Sequence, residues 1–125
     1  MSAVYDASVL VAADRNRRDV WADHRTRLEV GALPATTAPV VAQVSRSPRQ
    51  AELRRFLRGC EIVGFPLEQA HEVGELLGAA GTADVVDAHL VLTAARSGSA
   101  VLTSDGDDIR RLVDHLSMPV AVLLM

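Results

Sequence analysis

A three-layer α/β sandwich around a parallel sheet is the architecture that this sequence predicts, on three observations. Short apolar runs alternate with longer helix-type segments through all 125 residues. The first and last runs, Ala3 to Tyr5 and Val120 to Leu124, are almost continuously apolar, as strands covered on both faces are. Turn-forming residues recur regularly, at Gly31 to Pro34, Ser47-Pro48, Gly59, Gly64 to Pro66, Gly78 to Gly81, Ser97 to Ser99 and Ser117 to Pro119. Strands that alternate with helices require right-handed crossovers, which place a parallel sheet between helical layers.

In chain order, the apolar runs predict strands at Ala3 to Tyr5, Leu33 to Thr37, Glu61 to Phe65, Ala100 to Thr103 and Val120 to Leu124. Helical spacing predicts Ser8 to Ala13, Val20 to Val30, Pro39 to Arg46, Arg49 to Arg58, Leu67 to Leu77, Ala83 to Arg96 and Asp107 to His115. The length fits one domain, residues 1–125, and 49% hydrophobic residues supply a core without disulfide or metal staples.

Charge and cysteine content narrow the function classes. The net charge of −3 argues against a chain that coats nucleic acid by bulk attraction. All 13 basic residues are arginine, a bias with an ordinary cause in GC-rich codon usage. It nevertheless excludes any chemistry that needs a lysine. Cys60 has no partner for an intrachain disulfide, which fits a reducing, cytoplasmic setting. The opening MSAVYDASVL lacks a basic n-region and already carries Asp6, so no signal peptide is expected. The longest apolar stretch, Ala83 to Ala95, is broken by Asp84, Asp87 and His89 and is too short to cross a bilayer, so no membrane partner is expected.

The acids carry the functional signal. Asp6 directly follows the first strand, and Ser104-Asp105 directly follows the fourth. In a parallel sheet both emerge at the carboxyl edge, where open α/β sheets bind ligands at the point of strand reversal. Helix capping accounts for Asp6 and Asp105 equally well on spacing alone. In GTADVVDAHLVLTAA, Thr82 is placed to cap a helix with Asp84 in its first turn, where the dipole favours an acid. Asp87, three residues on, shares the face of Asp84. Its helix is apolar nearly all round, and a carboxylate there is costly without a partner. Of Asp107 and Asp108, one is expected to cap the following helix. If Asp6, Asp87 and Asp105 converge, each close pair repels by about 3–4 kcal/mol at an effective dielectric near ~20, so a cation must offset them. An oxygen-only donor set favours a hard ion such as Mg²⁺ or Mn²⁺ over Zn²⁺.

Three segments, AVYDASVLVAA, DVVDAHLVLTAA and AVLTSDGDDI, together resemble PIN-domain ribonucleases, and more narrowly the VapC toxins of bacterial toxin–antitoxin pairs. The resemblance covers the whole chain and rests on the ordered set of acids. It implies a five-stranded parallel sheet in the order 3-2-1-4-5 and an acidic pocket that binds Mg²⁺ or Mn²⁺. It also implies RNA as substrate, a homodimer, and an antitoxin that blocks the pocket. By motif position Asp6, Asp87 and Asp105 are the metal-holding and catalytic acids, and Asp84 and Asp108 are accessory. Asp84 or Asp105 would orient the attacking water. The family's usual glutamate on the helix after the second strand is replaced by Gln43, in TAPVVAQVSR. A neutral amide weakens charge at the pocket, so a PIN domain that binds without cutting is the alternative function. Ser8 and Thr103-Ser104 bring hydroxyls to the same edge, and capping explains them too.

Around this core of expectations, Arg46, Arg49, Arg54 and Arg55 suit RNA phosphates, since arginine contacts them bidentately; a solvated helix face explains them equally well. Trp21 and Leu28 suit a partner surface or the core. His89 lies on a different helical face from Asp87 and reads as a packed histidine. The absent lysine argues against the further alternative of a phosphoacceptor receiver domain, and Ser8, where a second aspartate is needed, against a haloacid-dehalogenase phosphatase.

Overall fold

The computed structural model describes residues 2–125. Its centre is β1 (Ala3–Tyr5), whose three residues are all buried. β1 pairs in parallel with β2 (Ala35–Thr37) on one side and β4 (Ala100–Thr103) on the other. The outer strands are β3 (Glu61–Val63), beside β2, and β5 (Val122–Leu124), beside β4. The sheet is entirely parallel with the order β3-β2-β1-β4-β5, the expected topology.

Helices α1 (Ala7–Asp14), α2 (Arg18–Glu29), α3 (Ala38–Val44) and α4 (Ala51–Leu57) carry the chain from β1 to β2 to β3. The return passes through a 3₁₀ turn (Leu67–Gln69), α5 (Ala70–Ala80), α6 (Val85–Ser97) and α7 (Asp107–Val113). α1 packs against α2, α3 and α4, while α5, α6 and α7 pack against one another. Right-handed crossovers explain that segregation, because the chain walks outward over one face of the sheet and comes back over the other. The reversal falls between β1 and β4. Tyr5, Leu10, Leu53 and Phe56 are essentially solvent-free within the first layer, as are Leu90, Val91, Ile109 and Leu112 within the second.

Several element ends differ from the expected ones, each for a local reason. β2 starts after Pro34, which has no N–H to give a ladder, and β3 stops at Val63, before Gly64. α5 runs through Gly78 and ends at Gly81, which takes the left-handed conformation (φ 70°) that closes a helix cheaply. β5 corrects the expectation of a last strand covered on both faces: Leu123 is 39% and Leu124 57% exposed. The apolar run was read as buried, but β5 is an edge strand with a single neighbour. Among the described residues, no single helix is long and apolar enough to cross a membrane.

Candidate active site

Asp6 occupies the first position beyond β1 and caps α1. The Ser8 N–H donates to its Oδ1 at 2.8 Å, and the Ser8 hydroxyl donates to the same oxygen. From the neighbouring strand, the Thr103 hydroxyl donates to Oδ2 at 2.5 Å. The parallel register Tyr5↔Leu102 puts Asp6 and Thr103 side by side, so this contact is a consequence of the sheet. The Ser104 N–H in turn donates to Ser8 Oγ at 2.9 Å. None of these hydroxyls caps a helix, since Asp6 caps α1 and Gly106 holds the cap position of α7, but Ser8 and Thr103 fix the Asp6 carboxylate on both sides. Of the roughly four acceptor positions of a carboxylate, three are used, and one on Oδ2 stays open.

A second group of acids opens α6. Asp84, not Thr82, is the N-cap, and its Oδ1 accepts from the Asp87 N–H at 3.0 Å. This corrects the expected cap by two residues. Thr82 Oγ1 instead accepts from the Asp84 N–H, at 3.5 Å, one step before the helix. Asp87 is half-buried in the first turn. Burial first, then the charge of Asp84, then that of Asp6, push its carboxyl up to about 7. A hydrogen bond with Asp84 and the charge of Asp108 add to this. Thr82, Asp84, Asp87, Asp108, Arg111 and Leu112 line one depression of about 80 Å³.

Asp105 stands at the same edge but is turned differently. Its Oδ1 accepts from the Asp107 N–H at 3.2 Å. Its backbone N–H donates to Thr103 Oγ1 at 3.2 Å, so one threonine joins the Asp6 carboxylate to the Asp105 main chain. Neither Asp107 nor Asp108 caps α7, contrary to expectation. Gly106 holds the cap position without a side chain, and both acids lie exposed in the first turn. Four of the acids, Asp6, Asp84, Asp87 and Asp108, thus share one electrostatic environment, and Asp105 is linked to it through Thr103.

The donors are all oxygens, which suits a hard divalent cation. Their spacing is looser than a finished cage: among the described residues, no three acids, histidines or cysteines stand close enough to hold an ion. Donor chemistry fits Mg²⁺ or Mn²⁺, and the open position on Asp6 fits it as well.

The arginine-rich segment is spread over several contacts. Arg46 donates to the carbonyls of Ala42 and Ser45. Arg55 pairs with Glu52 at 2.5 Å and covers the Trp21 ring at 4.3 Å. Arg49 and Arg54 are exposed and make no ion pair among the described residues. The Gln50 amide ties this segment to Asp14, at the far end of α1 from Asp6, a helix length of about 12 Å away. Trp21 and Leu28 meet in a 470 Å³ groove rimmed by Arg18, Arg25 and Arg55. Gln43 is exposed on α3. His89 is a packed histidine: it is fully buried and stacked on Phe65 at 4.4 Å, and burial lowers its pKa.

Sequence reasoning missed Arg111 as a member of the acidic depression. The available signal was its spacing of three from Asp108, which puts both on one face of α7.

Known proteins agree with this architecture. No curated protein matches the chain. Fourteen solved chains do. One is VapBC2 from Rickettsia felis, crystallised bound to a DNA fragment from their promoter, at TM-score 0.71 and 20% identity, covering 100% of this chain and 99% of that one. Another is PAE2754 from Pyrobaculum aerophilum, at TM-score 0.66 and 18% identity, covering 99% of this chain and 84% of that one. At these identities the likeness is one of fold. The PIN domain profile matches residues 3–114, from β1 past the end of α7 and across every acid described above. The chain therefore belongs to the PIN domain family.

Proposed function

We propose that this protein is a metal-dependent endoribonuclease of the VapC kind, the toxin of a toxin–antitoxin pair. The observation that carries the reading is the gathering of Asp6, Asp84, Asp87 and Asp108 at the carboxyl edge, where strand order reverses, close enough to push the Asp87 carboxyl up. Asp6, Asp87 and Asp105 would hold Mg²⁺ or Mn²⁺. Such an ion, when bound, lowers the pKa of water and stabilises charge on a scissile phosphate.

The protein's own groups perform the remaining work. Ser8 and Thr103 fix the Asp6 carboxylate, so that little rotamer freedom is lost when a ligand arrives. Asp84, exposed at the rim, or Asp105 orients the attacking water and accepts its proton. Arg46, Arg49, Arg54 and Arg55 are the candidates for the RNA backbone further along the strand. Arg49 and Arg54 are the least committed of the four.

The antitoxin and a second copy of the chain complete the proposal. The groove holding Trp21 and Leu28, with its arginine rim, suits an acidic, partly apolar antitoxin segment. VapBC2 from Rickettsia felis supports such an assembly by analogy of fold. A cytoplasmic location accords with the single free Cys60, whose burial pushes its thiol up to about 12 and keeps it unreactive.

Incubating the protein with structured RNA, with and without Mg²⁺ or Mn²⁺, beside Asp6→Ala, tests the reading. Cleavage that needs the metal and disappears in the variant is the expected result. RNA binding without cleavage would instead support the second reading, a PIN domain that binds only, which the neutral Gln43 favours.

A further inference from the structure

A pocket lined by carboxylates repels the polyanion that it is meant to cut. Asp84, Asp87 and Asp108 all face the same depression, so an approaching phosphate needs a cation placed beside them. Arg111 is the one cationic residue lining it.

The two arginines of α7 differ in what they already hold. Arg110 pairs with Asp107 at 3.8 Å and lies against Gly106, where an added Cβ would meet its guanidinium at 2.8 Å. Arg111 is exposed, and among the described residues its guanidinium makes no ion pair or side-chain hydrogen bond. Its donors are unspent, and its planar fork matches two non-bridging oxygens of a phosphodiester. The backbone at Arg111 is well anchored, because Ile109, two residues before it, and Leu112, the next residue, are 2% and 1% exposed.

We propose that Arg111 binds a phosphate of the RNA strand at the acidic depression and sets its register against Asp84 and Asp87. This rests on the ribonuclease reading above for its substrate class. Arg110 is a structural residue of α7 and takes no part in it.

The test is fluorescence anisotropy with a fluorescein-labelled single-stranded oligoribonucleotide in metal-free buffer, repeated over a range of salt concentrations. Wild type, Arg111→Gln, Arg111→Lys and Arg110→Gln are compared, with melting temperatures recorded for each. Loss of one phosphate contact is expected to weaken binding about tenfold in Arg111→Gln. It should also flatten the plot of log affinity against log salt by about 0.7. Arg111→Lys should recover the slope but only part of the affinity, and Arg110→Gln should match wild type. A purely structural role would lower affinity and melting temperature without moving the slope, and that result overturns the proposal. So does an unchanged Arg111→Gln, an equal effect in Arg110→Gln, or a wild type that binds no RNA. Wild-type cleavage in Mg²⁺ separates the two claims. Cleavage with an unmoved slope removes Arg111 alone, whereas a moved slope without cleavage keeps Arg111 and removes the nuclease.

Discussion

Asp87 is the residue on which the site turns. Its carboxyl is held near neutrality by burial and by the charges of Asp84, Asp6 and Asp108. Asp87→Asn removes that conflict while keeping the shape of the side chain. At pH 8 without metal the variant should be more stable than wild type by about 1–2 kcal/mol, a figure reduced because the group is only half-buried. Urea denaturation measures it, and a marked loss would show Asp87 to be a structural partner instead. Gln43→Glu, in turn, should tighten Mn²⁺ binding in calorimetry, and unchanged or weaker binding would place Gln43 outside the pocket. Asp87 was legible in the sequence because an acid inside an apolar helix lacks a bland explanation. Arg111 was not, since a spacing of three says which residues share a face but not what that face looks upon.

Helix ends decide the geometry at the scale of elements. Asp84 both caps α6 and burdens Asp87, so its replacements separate the two effects. Asp84→Ser keeps a capping oxygen and drops the charge, whereas Asp84→Ala drops both. The serine variant should be more stable than the alanine variant by about 1 kcal/mol, read from paired thermal melts. Equal stabilities would mean that the cap contributes nothing. The elements themselves were largely legible, since apolar runs and turn residues marked all five strands. Their ends were less so. Thr82 and Asp84 are both good caps two residues apart, and only the packing of α6 selects one of them. Likewise β5 reads as fully buried, because an apolar run does not reveal that its strand lies at the edge of a sheet.

Opposing titrations shape the behaviour of the whole molecule. Asp87 is raised from an ordinary value of 3.8, so the folded state holds its proton longer than the unfolded chain. Stability from this source falls as pH rises between about 4 and 7. Burial lowers His24 and His89 below their ordinary 6.5, so the stability that they confer is lost as pH falls through that value. Asp87→Asn should remove the component that falls between about pH 4 and 7, so the variant's advantage over wild type without metal should grow across that window and level off above about 7. Unfolding curves across that range check this, and a difference that does not change with pH would refute it. The order of the strands was legible only through the resemblance to PIN domains, because acids that follow β1 and β4 share the carboxyl edge of a parallel sheet whatever the order. The looseness of the acid cluster was not, because spacing along a chain carries no distances between side chains.

Titration of Mn²⁺ into wild type, Asp6→Ala and Asp87→Asn at pH 6, followed by calorimetry in buffers of differing ionisation heat, tests the central claim most directly. The account predicts binding to wild type with release of a proton from Asp87, and weakened binding in both variants. Binding of equal strength in all three proteins, or none in wild type, would contradict it.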